Sequence, residues 1–486
     1  MRLYKKTKIV ATLGPASSSP EVIERMISAG VDVFRLNFSH GHHDGHAKNI
    51  RSIRRITARL RMHAGILADL QGPKIRTGKT ADDRSIRLEK GATVRLVSGT
   101  ALCDESTISL NYPRLLKDVQ PGHRVLINDG LIRLDVRKSD IKTGFLECLV
   151  ANTGIYSSNK GVNLPDSKLR VPGLTPKDKA DLAFALEHKV NFVALSFVRR
   201  REDVHALSAL VRRAKARVCI IAKIEKPEAV GNFADILDES DGIMVARGDL
   251  GVEISPSRVP LLQKQFITEA NRRGKTVIVA TQMLESMIQN PRPTRAEASD
   301  VANAILDGTD AIMLSGETAA GAYPVEAVRI MSSIAQETEN SRFFPQAIAD
   351  LSIKDAFPPH AICEAAQWAS RDLGGVPVIV FTKTGETARY LAKIRNRSRI
   401  LAFTPHRHIA ERLSICWNTE AFVLNFHGSS RVVETRAESV LLERKLVRDK
   451  DLVLVVSGAE VVRDRANSLR IKRVGEKAEE NRFSSV

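Results

Sequence analysis

Short, fully apolar runs alternate along much of the chain with segments in which apolar residues recur every three or four positions. The first pattern is typical of buried parallel strands, and the second is typical of helices that cover a sheet. The predicted strands are Thr7 to Thr12, Val33 to Phe38, Gly65 to Leu70, Phe192 to Phe197, Ile220 to Ile224, Ile243 to Ala246, Val277 to Thr281 and Ala311 to Leu314. Eight strand and helix units predict a closed (β/α)8 TIM barrel, whose site lies at the carboxyl ends of the strands.

The pattern changes twice along the chain. Short alternating strands with turn residues between Pro73 and Val171 predict an inserted β-barrel lid domain, with strands at Thr93 to Val97, Arg124 to Ile127, Leu131 to Val136 and Phe145 to Ala151. After the linker signals Phe344-Pro345 and Phe357-Pro358-Pro359, an open α/β domain is predicted, with strands at Val378 to Phe381, Ile400 to Phe403 and Leu452 to Ser457. The predicted domains are residues 1–72 and 172–341 for the catalytic barrel, 73–171 for the lid and 342–486 for a regulatory or oligomerisation domain.

Composition narrows the class of protein. The 74 basic and 56 acidic residues give a net charge of +18, but aromatic residues make up only 5% of the chain and do not interleave with its basic runs. A nucleic-acid partner is therefore not predicted, whereas a positive field suits an enzyme of polyanionic substrates. No apolar run approaches the roughly 20 residues of a membrane span, and no C-x-x-C pair occurs. We expect a cytoplasmic enzyme with reduced thiols and no membrane partner.

Charged side chains stand at the ends of two successive predicted strands. Lys223 and Glu225 are two residues apart on one strand and share a face, and Asp249 closes the next strand. If these strands are sheet neighbours, they lie roughly 4.8 Å apart and their ends coincide. Two carboxylates supply the oxygen ligands that Mg²⁺ (or Mn²⁺) prefers, and the lysine supplies a positive charge for a phosphoryl group. An ordinary salt bridge between Lys223 and Glu225 would explain these two residues without any metal.

Longer motifs surround these residues. They are Lys8 to Pro15, Ala222-Lys223-Ile224-Glu225, Met244 to Glu253, Ala280 to Met287 and Met313-Leu314-Ser315-Gly316-Glu317-Thr318. In wording and order they closely resemble the pyruvate kinase family, from residue 8 to about residue 344 and more loosely to the C-terminus. The resemblance implies a phosphotransferase of glycolysis that converts phosphoenolpyruvate and ADP into pyruvate and ATP. It also implies an allosteric homotetramer.

The resemblance assigns roles to individual side chains. The residues implied for phosphoenolpyruvate and catalysis are Arg35, Lys223, Ala246, Arg247, Gly248, Asp249, Thr281 and Ser315, of which Thr281 and Ser315 would help to deliver a proton. Those implied for cations and nucleotide are Glu225 and Asp249 for Mg²⁺, Asn37, Ser39 and Asp69 for a possible monovalent cation, and Arg76, Lys160, Asn37 and His40 for the nucleotide. Because Arg35, Asn37 and Ser39 alternate along one predicted strand, we expect them to share a face.

The chain departs from the family pattern beside the third strand. Many pyruvate kinases read Asp-Thr-Lys-Gly-Pro-Glu there, whereas this chain reads Asp69-Leu70-Gln71-Gly72-Pro73-Lys74. Members with Leu, Gln and Lys at the three differing positions are associated with K⁺ independence, which predicts that K⁺ is not required and that the Lys74 ammonium replaces it. Asn37, Ser39 and Asp69 remain as potential K⁺ ligands, and Thr77 is typical of the K⁺-requiring form. A solvated charge at Lys74 is the simpler alternative.

A second departure concerns allosteric control. A loop that follows a predicted strand matches the family's phosphorylated-effector loop, with candidate ligands Thr382, Lys383, Thr384, Gly385 and Thr387. Glu386 places a carboxylate among them, and Ser457-Gly458-Ala459-Glu460 lacks the Trp and Arg that many members carry. Since a carboxylate repels an anion, we expect fructose 1,6-bisphosphate not to be a strong activator, which leaves a sugar monophosphate or AMP as alternatives.

Other sites and functions compete with this interpretation. His40, His42, His43 and His46 resemble a zinc cluster, but no clustered Cys supports one. Gly274-Lys275-Thr276 and Gly78-Lys79-Thr80 end like a P-loop, yet each lacks the required earlier Gly. A barrel lyase or aldolase that makes an enolate at a carboxylate-bound metal would not need Arg76, Lys160 or a lid. A basic nucleic-acid-binding protein would show strongly salt-dependent binding and no turnover.

Overall fold

The computed structural model describes residues 4–344, 358–395, 397–458 and 466–476. Its first elements are β1 (Lys8–Leu13), α1 (Pro20–Ala29), β2 (Val33–Asn37), α2 (His43–Arg59) and β3 (Gly65–Leu70). The strands are buried almost throughout, because helices cover the outside of the sheet. Helix α1 begins where the Ser19 hydroxyl accepts a hydrogen bond from the Val22 N–H and Pro20 occupies the first turn.

The predicted lid follows β3. Its elements are β4 (Ile86–Leu88), β5 (Thr93–Ser98), β6 (Thr107–Leu110), α3 (Leu115–Asp118), β7 (Arg124–Ile127), β8 (Ile132–Asp140), β9 (Phe145–Val150), β10 (Gly154–Tyr156) and β11 (Val162–Asn163), with a 3-10 turn at Ala81–Asp83. Six strands form a curled sheet in the order β11-β7-β8-β9-β5-β6, and β10 pairs with β4. Alternate side chains, such as Val94, Leu96 and Leu134, form a hydrophobic core that belongs to this unit.

The chain then returns to the barrel. The elements are α4 (Pro176–Glu187), β12 (Phe192–Leu195), α5 (Arg201–Arg213), β13 (Cys219–Ile224), α6 (Pro227–Gly231), α7 (Phe233–Glu239), β14 (Gly242–Ala246), α8 (Arg247–Glu253), α9 (Val259–Arg272), β15 (Thr276–Ala280), α10 (Arg295–Leu306), β16 (Ala311–Leu314), α11 (Gly316–Ala319) and α12 (Pro324–Asn340), with 3-10 turns at Pro256–Arg258 and Glu285–Ile288. All neighbouring strands are parallel, and β1 pairs with both β2 and β16, so the eight-stranded sheet closes.

The last described unit is an open sheet with helices. Its elements are α13 (Pro358–Asp372), β17 (Val378–Phe381), α14 (Glu386–Lys393), β18 (Ile400–Thr404), α15 (Arg407–Leu413), β19 (Thr419–Val423), α16 (Ser430–Glu443), β20 (Leu452–Ser457) and β21 (Ser468–Arg473). Within the described residues the strand order is β19-β18-β17-β20-β21, and only β21 is antiparallel to its neighbour. The predicted fold class is therefore confirmed in all three parts.

Several local expectations need correction. The strand predicted to run to Phe197 ends at Leu195, and the helical segment between the two central strands is two short helices, α6 and α7, rather than one. Strand β2 ends at Asn37, so Ser39 lies in the following turn instead of on the strand. The three domain boundaries stay predictions. In the described part of the chain, no helix is long and apolar enough to cross a bilayer.

Candidate active site

Lys223 is the centre of a buried cluster at the carboxyl ends of the barrel strands. Its Nζ lies 2.8 Å from Glu225 Oε1 and 3.4 Å from Asp69 Oδ1. It also donates a hydrogen bond of 2.8 Å to the Ser196 hydroxyl. These residues come from β3, β13 and the segment after β12, which are neighbours in the barrel. Burial opposes the positive charge, yet Asp69 and Glu225 hold the pKa of Lys223 above its ordinary value.

Arg35 extends this cluster on strand β2. Its Nε donates to Asp69 Oδ2 at 2.7 Å, and its Nη1 donates to the Thr12 hydroxyl at 3.0 Å. Although burial would raise the pKa of Asp69, the cations Lys223 and Arg35 keep it below its usual range. The two cations are therefore fixed side by side by one carboxylate, where a transferring anion could meet both.

Glu225 directly follows β13, and Asp249 lies in the first turn of α8 instead of closing β14 as the sequence predicted, because the strand already ends at Ala246. Strand pairing places Lys223 opposite Met244 and Ile224 opposite Val245, as the sequence predicted for neighbouring strands. Burial raises the pKa of Glu225, and the negative charge of Asp249 raises it further, although the Lys223 ammonium opposes the shift. Among the described residues, none makes a hydrogen bond or ion pair to the Asp249 carboxylate. An unpaired carboxylate beside a buried one suits a divalent cation, whose charge would favour both ionised forms.

Thr281 and Ser315 lie beyond the ends of β15 and β16. Thr281 has a positive φ of 69°, a strained conformation for a β-branched residue, and its hydroxyl accepts a hydrogen bond of 2.7 Å from the Gly248 N–H. The Ser315 hydroxyl is buried and has no hydrogen-bond partner within the described residues. The Ser315 N–H donates to Glu317 Oε2 at 2.7 Å, and burial raises the pKa of that glutamate. A buried hydroxyl without a partner is suited to a bound water or substrate.

Arg247 does not join the Lys223 cluster. Its guanidinium forms an ion pair of 2.7 Å with Asp300 and donates to the backbone carbonyls of Thr281 and Gln282 at 3.1 and 3.2 Å. These contacts fix the loop that carries Thr281. Ala246 is buried as the last residue of β14, so its contribution to a ligand site is limited to backbone groups.

Three cations stand on the paired segments that join the barrel to the lid. Arg76 pairs with Gly161 in an antiparallel bridge, and Lys160 is adjacent in sequence to Gly161. A methyl group on Gly161 would lie 3.8 Å from Lys74 Nζ, so this ammonium occupies the same cleft. Burial and the charges of Arg76, Lys74 and Arg35 lower the pKa of His40. Lys74 makes no ion pair within the described residues, and it lines a cavity together with Asp249.

The possible monovalent site is only partly assembled. The Asn37 amide oxygen accepts the Ser39 N–H at 3.1 Å, and Asp69 is already engaged by Arg35 and Lys223. Thr77 is buried and accepts a hydrogen bond of 3.0 Å from the Lys160 N–H, which joins the two segments that connect the barrel to the lid.

The histidine cluster is not assembled as a metal site. No three His, Cys, Asp or Glu side chains in the described ranges are arranged to hold a metal ion. His43 instead lies 2.7 Å from Asp181 and stacks on Phe184, while His46 lies 3.1 Å from the His40 carbonyl oxygen.

Comparison with known proteins agrees with the family resemblance that the sequence motifs indicated, and it does so along most of the chain. Residues 4–328 match the family of pyruvate kinase barrel domains, and residues 360–472 match the pyruvate kinase alpha/beta domain. The chain belongs to the pyruvate kinase family. Members of this family transfer the phosphoryl group of phosphoenolpyruvate to ADP in glycolysis, so the chain is a phosphotransferase.

Individual relatives agree with this membership. The chain is 46% identical to pyruvate kinase 2 of Synechocystis sp. over 94% of this chain and 77% of that protein. It is 42% identical to the pyruvate kinase of Staphylococcus aureus over 97% of this chain and 81% of the relative. A crystal structure of a pyruvate kinase from Cryptosporidium parvum superposes with a TM-score of 0.90 at 39% identity, covering 97% of this chain and 96% of that one.

Two residues that contact the Lys223 cluster were not predicted from the sequence. Ser196 directly follows β12, and its hydroxyl donates to the Leu70 carbonyl at 2.7 Å while it accepts from Lys223. Phe197 has a positive φ of 57°, and its N–H donates to Glu225 Oε2 at 2.8 Å. The position of Ser196 after a buried strand could have indicated it, but a backbone donor from a Phe leaves no sequence signal.

The candidate effector loop lies between β17 and α14. Gly385 has a φ of 87° and its N–H donates to the Thr382 hydroxyl at 2.9 Å, while Thr382 and Thr387 are both buried. Glu386 and Thr384 are exposed, so the carboxylate stands at the loop surface. In the segment Ser457 to Glu460, which was predicted to lack the family's Trp and Arg, Ala459 and Glu460 lie outside the described residues. Pro345 and Phe357 of the predicted linker also lie outside them.

Proposed function

We propose that the Lys223 cluster is the phosphoryl-transfer site of this pyruvate kinase and that its residues divide the reaction between them. The observation that supports this proposal is the buried group of Lys223, Arg35 and Glu225 at the carboxyl ends of the strands. Lys223 and Arg35 stabilise negative charge on the phosphoryl group as it moves from the enol oxygen to the nucleotide. Both cations are held by carboxylates before substrate arrives, so little reorganisation is needed.

Glu225 and Asp249 would hold Mg²⁺, for which Mn²⁺ could substitute. The site fits this ion because one carboxylate is buried and the other has no protein partner within the described residues. When bound, the cation supplies Lewis-acid polarisation of the enolpyruvate oxygens. The substrate carboxylate binds at the start of α8, beside the backbone of Ala246, Arg247 and Gly248, where it takes over the Gly248 N–H that donates to the Thr281 hydroxyl in the free protein.

Thr281 and Ser315 help to deliver the proton that converts the enolate to pyruvate. Neither hydroxyl is acidic enough to be the ultimate source, so each orients a water molecule that delivers the proton. The buried, unpaired Ser315 hydroxyl supports this role.

The nucleotide phosphates bind Arg76 and Lys160 on the segments that join the barrel to the lid, and Asn37 and His40 on the barrel side. Lys74 takes the place of a monovalent cation beside them, so K⁺ is not required. Its ammonium has no ion-pair partner within the described residues, whereas Asp69 is already engaged by two cations. Asn37, Ser39 and Asp69 remain as the alternative K⁺ ligands.

The enzyme is a cytoplasmic homotetramer without nucleic-acid or membrane partners. The effector loop at Thr382 to Thr387 binds fructose 1,6-bisphosphate only weakly. The Glu386 carboxylate is exposed on this loop and repels the phosphate groups. We expect the bisphosphate to leave the phosphoenolpyruvate saturation curve unchanged, whereas a sugar monophosphate or AMP would be the ligand that shifts it. A large shift to lower phosphoenolpyruvate concentration with the bisphosphate would contradict this.

Pyruvate formation from phosphoenolpyruvate and Mg²⁺, with and without ADP, tests the proposed site. Turnover should require ADP and should yield ATP and pyruvate in equal amounts. Pyruvate or another carbonyl product without ADP would favour a lyase-type reaction. A Glu225→Gln variant should require far more metal, whereas an unchanged metal dependence would remove Glu225 from the site.

A further inference from the structure

Helix α8 connects the proposed metal site to a second buried carboxylate. Asp249 and Glu253 are four residues apart on this helix and therefore lie on one face, one turn apart. The Glu253 side chain is only 1% exposed and forms an ion pair with Lys226. Lys226 follows Glu225 directly in sequence. The Lys226–Glu253 pair thus joins the two segments that carry Glu225 and Asp249.

The lid reaches this same carboxylate. Asn163, in the lid strand β11, donates its side-chain amide to Glu253 Oε1 at 2.6 Å, and Lys226 contacts the same oxygen. A second lid contact lies one residue away along α8, since a methyl group on Gly130 would be 3.5 Å from Val252 Cγ1. The lid therefore meets the end of the helix on which Asp249 stands.

The contact is suited to reversible closure. A buried carboxylate needs donors, and the Lys226–Glu253 pair involves no lid residue, since Lys226 lies between β13 and α6. Opening the lid removes one amide donor and leaves no unpaired charge behind. Lys226 is also held in place by the Phe197 ring, 5.6 Å from its Nζ, and the Phe197 N–H binds Glu225.

We propose that Asn163 and Glu253 form a latch that holds the lid closed and links its position to the metal-binding segments. Both are positioning residues, and the inference rests on the proposed roles of Glu225, Asp249 and the lid cations. Closure brings Arg76 and Lys160 over the barrel, so the latch favours nucleotide binding. Because coupling between sites is reciprocal, bound metal should favour closure to the same degree as closure favours metal.

The test combines kinetics with a distance measurement on the full-length chain. Asn163→Ala removes the lid donor and leaves the Lys226–Glu253 pair intact. It should raise the KM for ADP at least fivefold with less than a twofold change in kcat. Asn163→Asp places a carboxylate against Glu253 and should raise that KM further. Spin labels at Lys142→Cys on the lid and Gln265→Cys on α9 should report longer, broader distances in both variants.

Asn152→Ala is the matched control. This lid asparagine donates to the Leu131 carbonyl at 2.7 Å and accepts from the Arg133 N–H at 2.9 Å, so its contacts stay within the lid. It should leave the KM for ADP and the distance distribution unchanged. The latch is overturned if Asn163→Ala matches the parent in both measurements, or if Asn152→Ala reproduces its effects. The label distances with the diamagnetic Mg²⁺ alone need no turnover, so they test the latch even if the phosphoryl-transfer roles prove wrong.

Discussion

Replacing Lys223 with Met separates stabilisation of the transferring phosphoryl group from metal binding, because the lysine charge should favour the first and oppose the second. The substitution keeps much of the side-chain volume and removes the charge, so Arg35 remains as the cation that is paired with Asp69. Lys223 Nζ lies 2.8 Å from Glu225 Oε1, a distance at which unit charges interact by about 6 kcal/mol at an effective dielectric constant of about 20. A phosphoryl oxygen at hydrogen-bonding distance from the ammonium would feel a similar interaction.

Water that enters the variant would replace part of this interaction. We therefore expect a loss of about 4 kcal/mol of transition-state stabilisation, which corresponds to a decrease in kcat of about 10³-fold. Metal affinity should move in the opposite direction, because Mg²⁺ would no longer be repelled by a neighbouring ammonium. Without metal, the variant should unfold at lower temperature, since Glu225 loses its buried partner.

Three measurements check this reasoning. Steady-state assay gives kcat, Mn²⁺ binding followed by electron paramagnetic resonance gives metal affinity, and thermal unfolding with and without Mg²⁺ gives stability. Lys275→Met is a suitable control, because Lys275 binds the Ser240 carbonyl at 2.6 Å just before β15, at the other end of the barrel. Near-normal kcat, or Mn²⁺ affinity that falls together with kcat, would refute the role assigned to Lys223.

Three further predictions follow from other charged or ionisable groups. Activity in a bulky organic-cation buffer should be substantial and should be lost in Lys74→Glu, with partial recovery in KCl; a many-fold stimulation of the parent by KCl at matched ionic strength would contradict it. Burial lowers the pKa of Lys393 to about 8, so between pH 8 and about 10 the unfolded state binds more protons and stability should rise relative to Lys393→Met. A flat difference in melting temperature would contradict this. Burial raises the pKa of Cys148, Cys219 and Cys363 to about 12, so the native thiols should resist alkylation at pH 7.5 until denaturant is added.

The barrel was predictable because its strands are buried on both faces. An apolar run such as Ile243 to Ala246 has no other place in a soluble protein of this composition, and the pairing of β13 with β14 follows from their connection. The lid and the C-terminal domain were harder. Strands β10, β19 and β21 are short or partly exposed, so alternation and apolar runs were too weak to indicate them.

The sequence by itself determined which ionisable residues end the barrel strands, because side-chain direction alternates along a strand and parallel strands end together. It therefore placed Lys223, Glu225 and Asp249 at one site. Only the tertiary structure decided how these charges are paired: that Asp69 binds both Arg35 and Lys223, and that Arg247 turns to Asp300. It also decided that the Phe197 N–H serves Glu225. These contacts join elements distant in sequence and use backbone groups that every residue carries, so no local pattern encodes them.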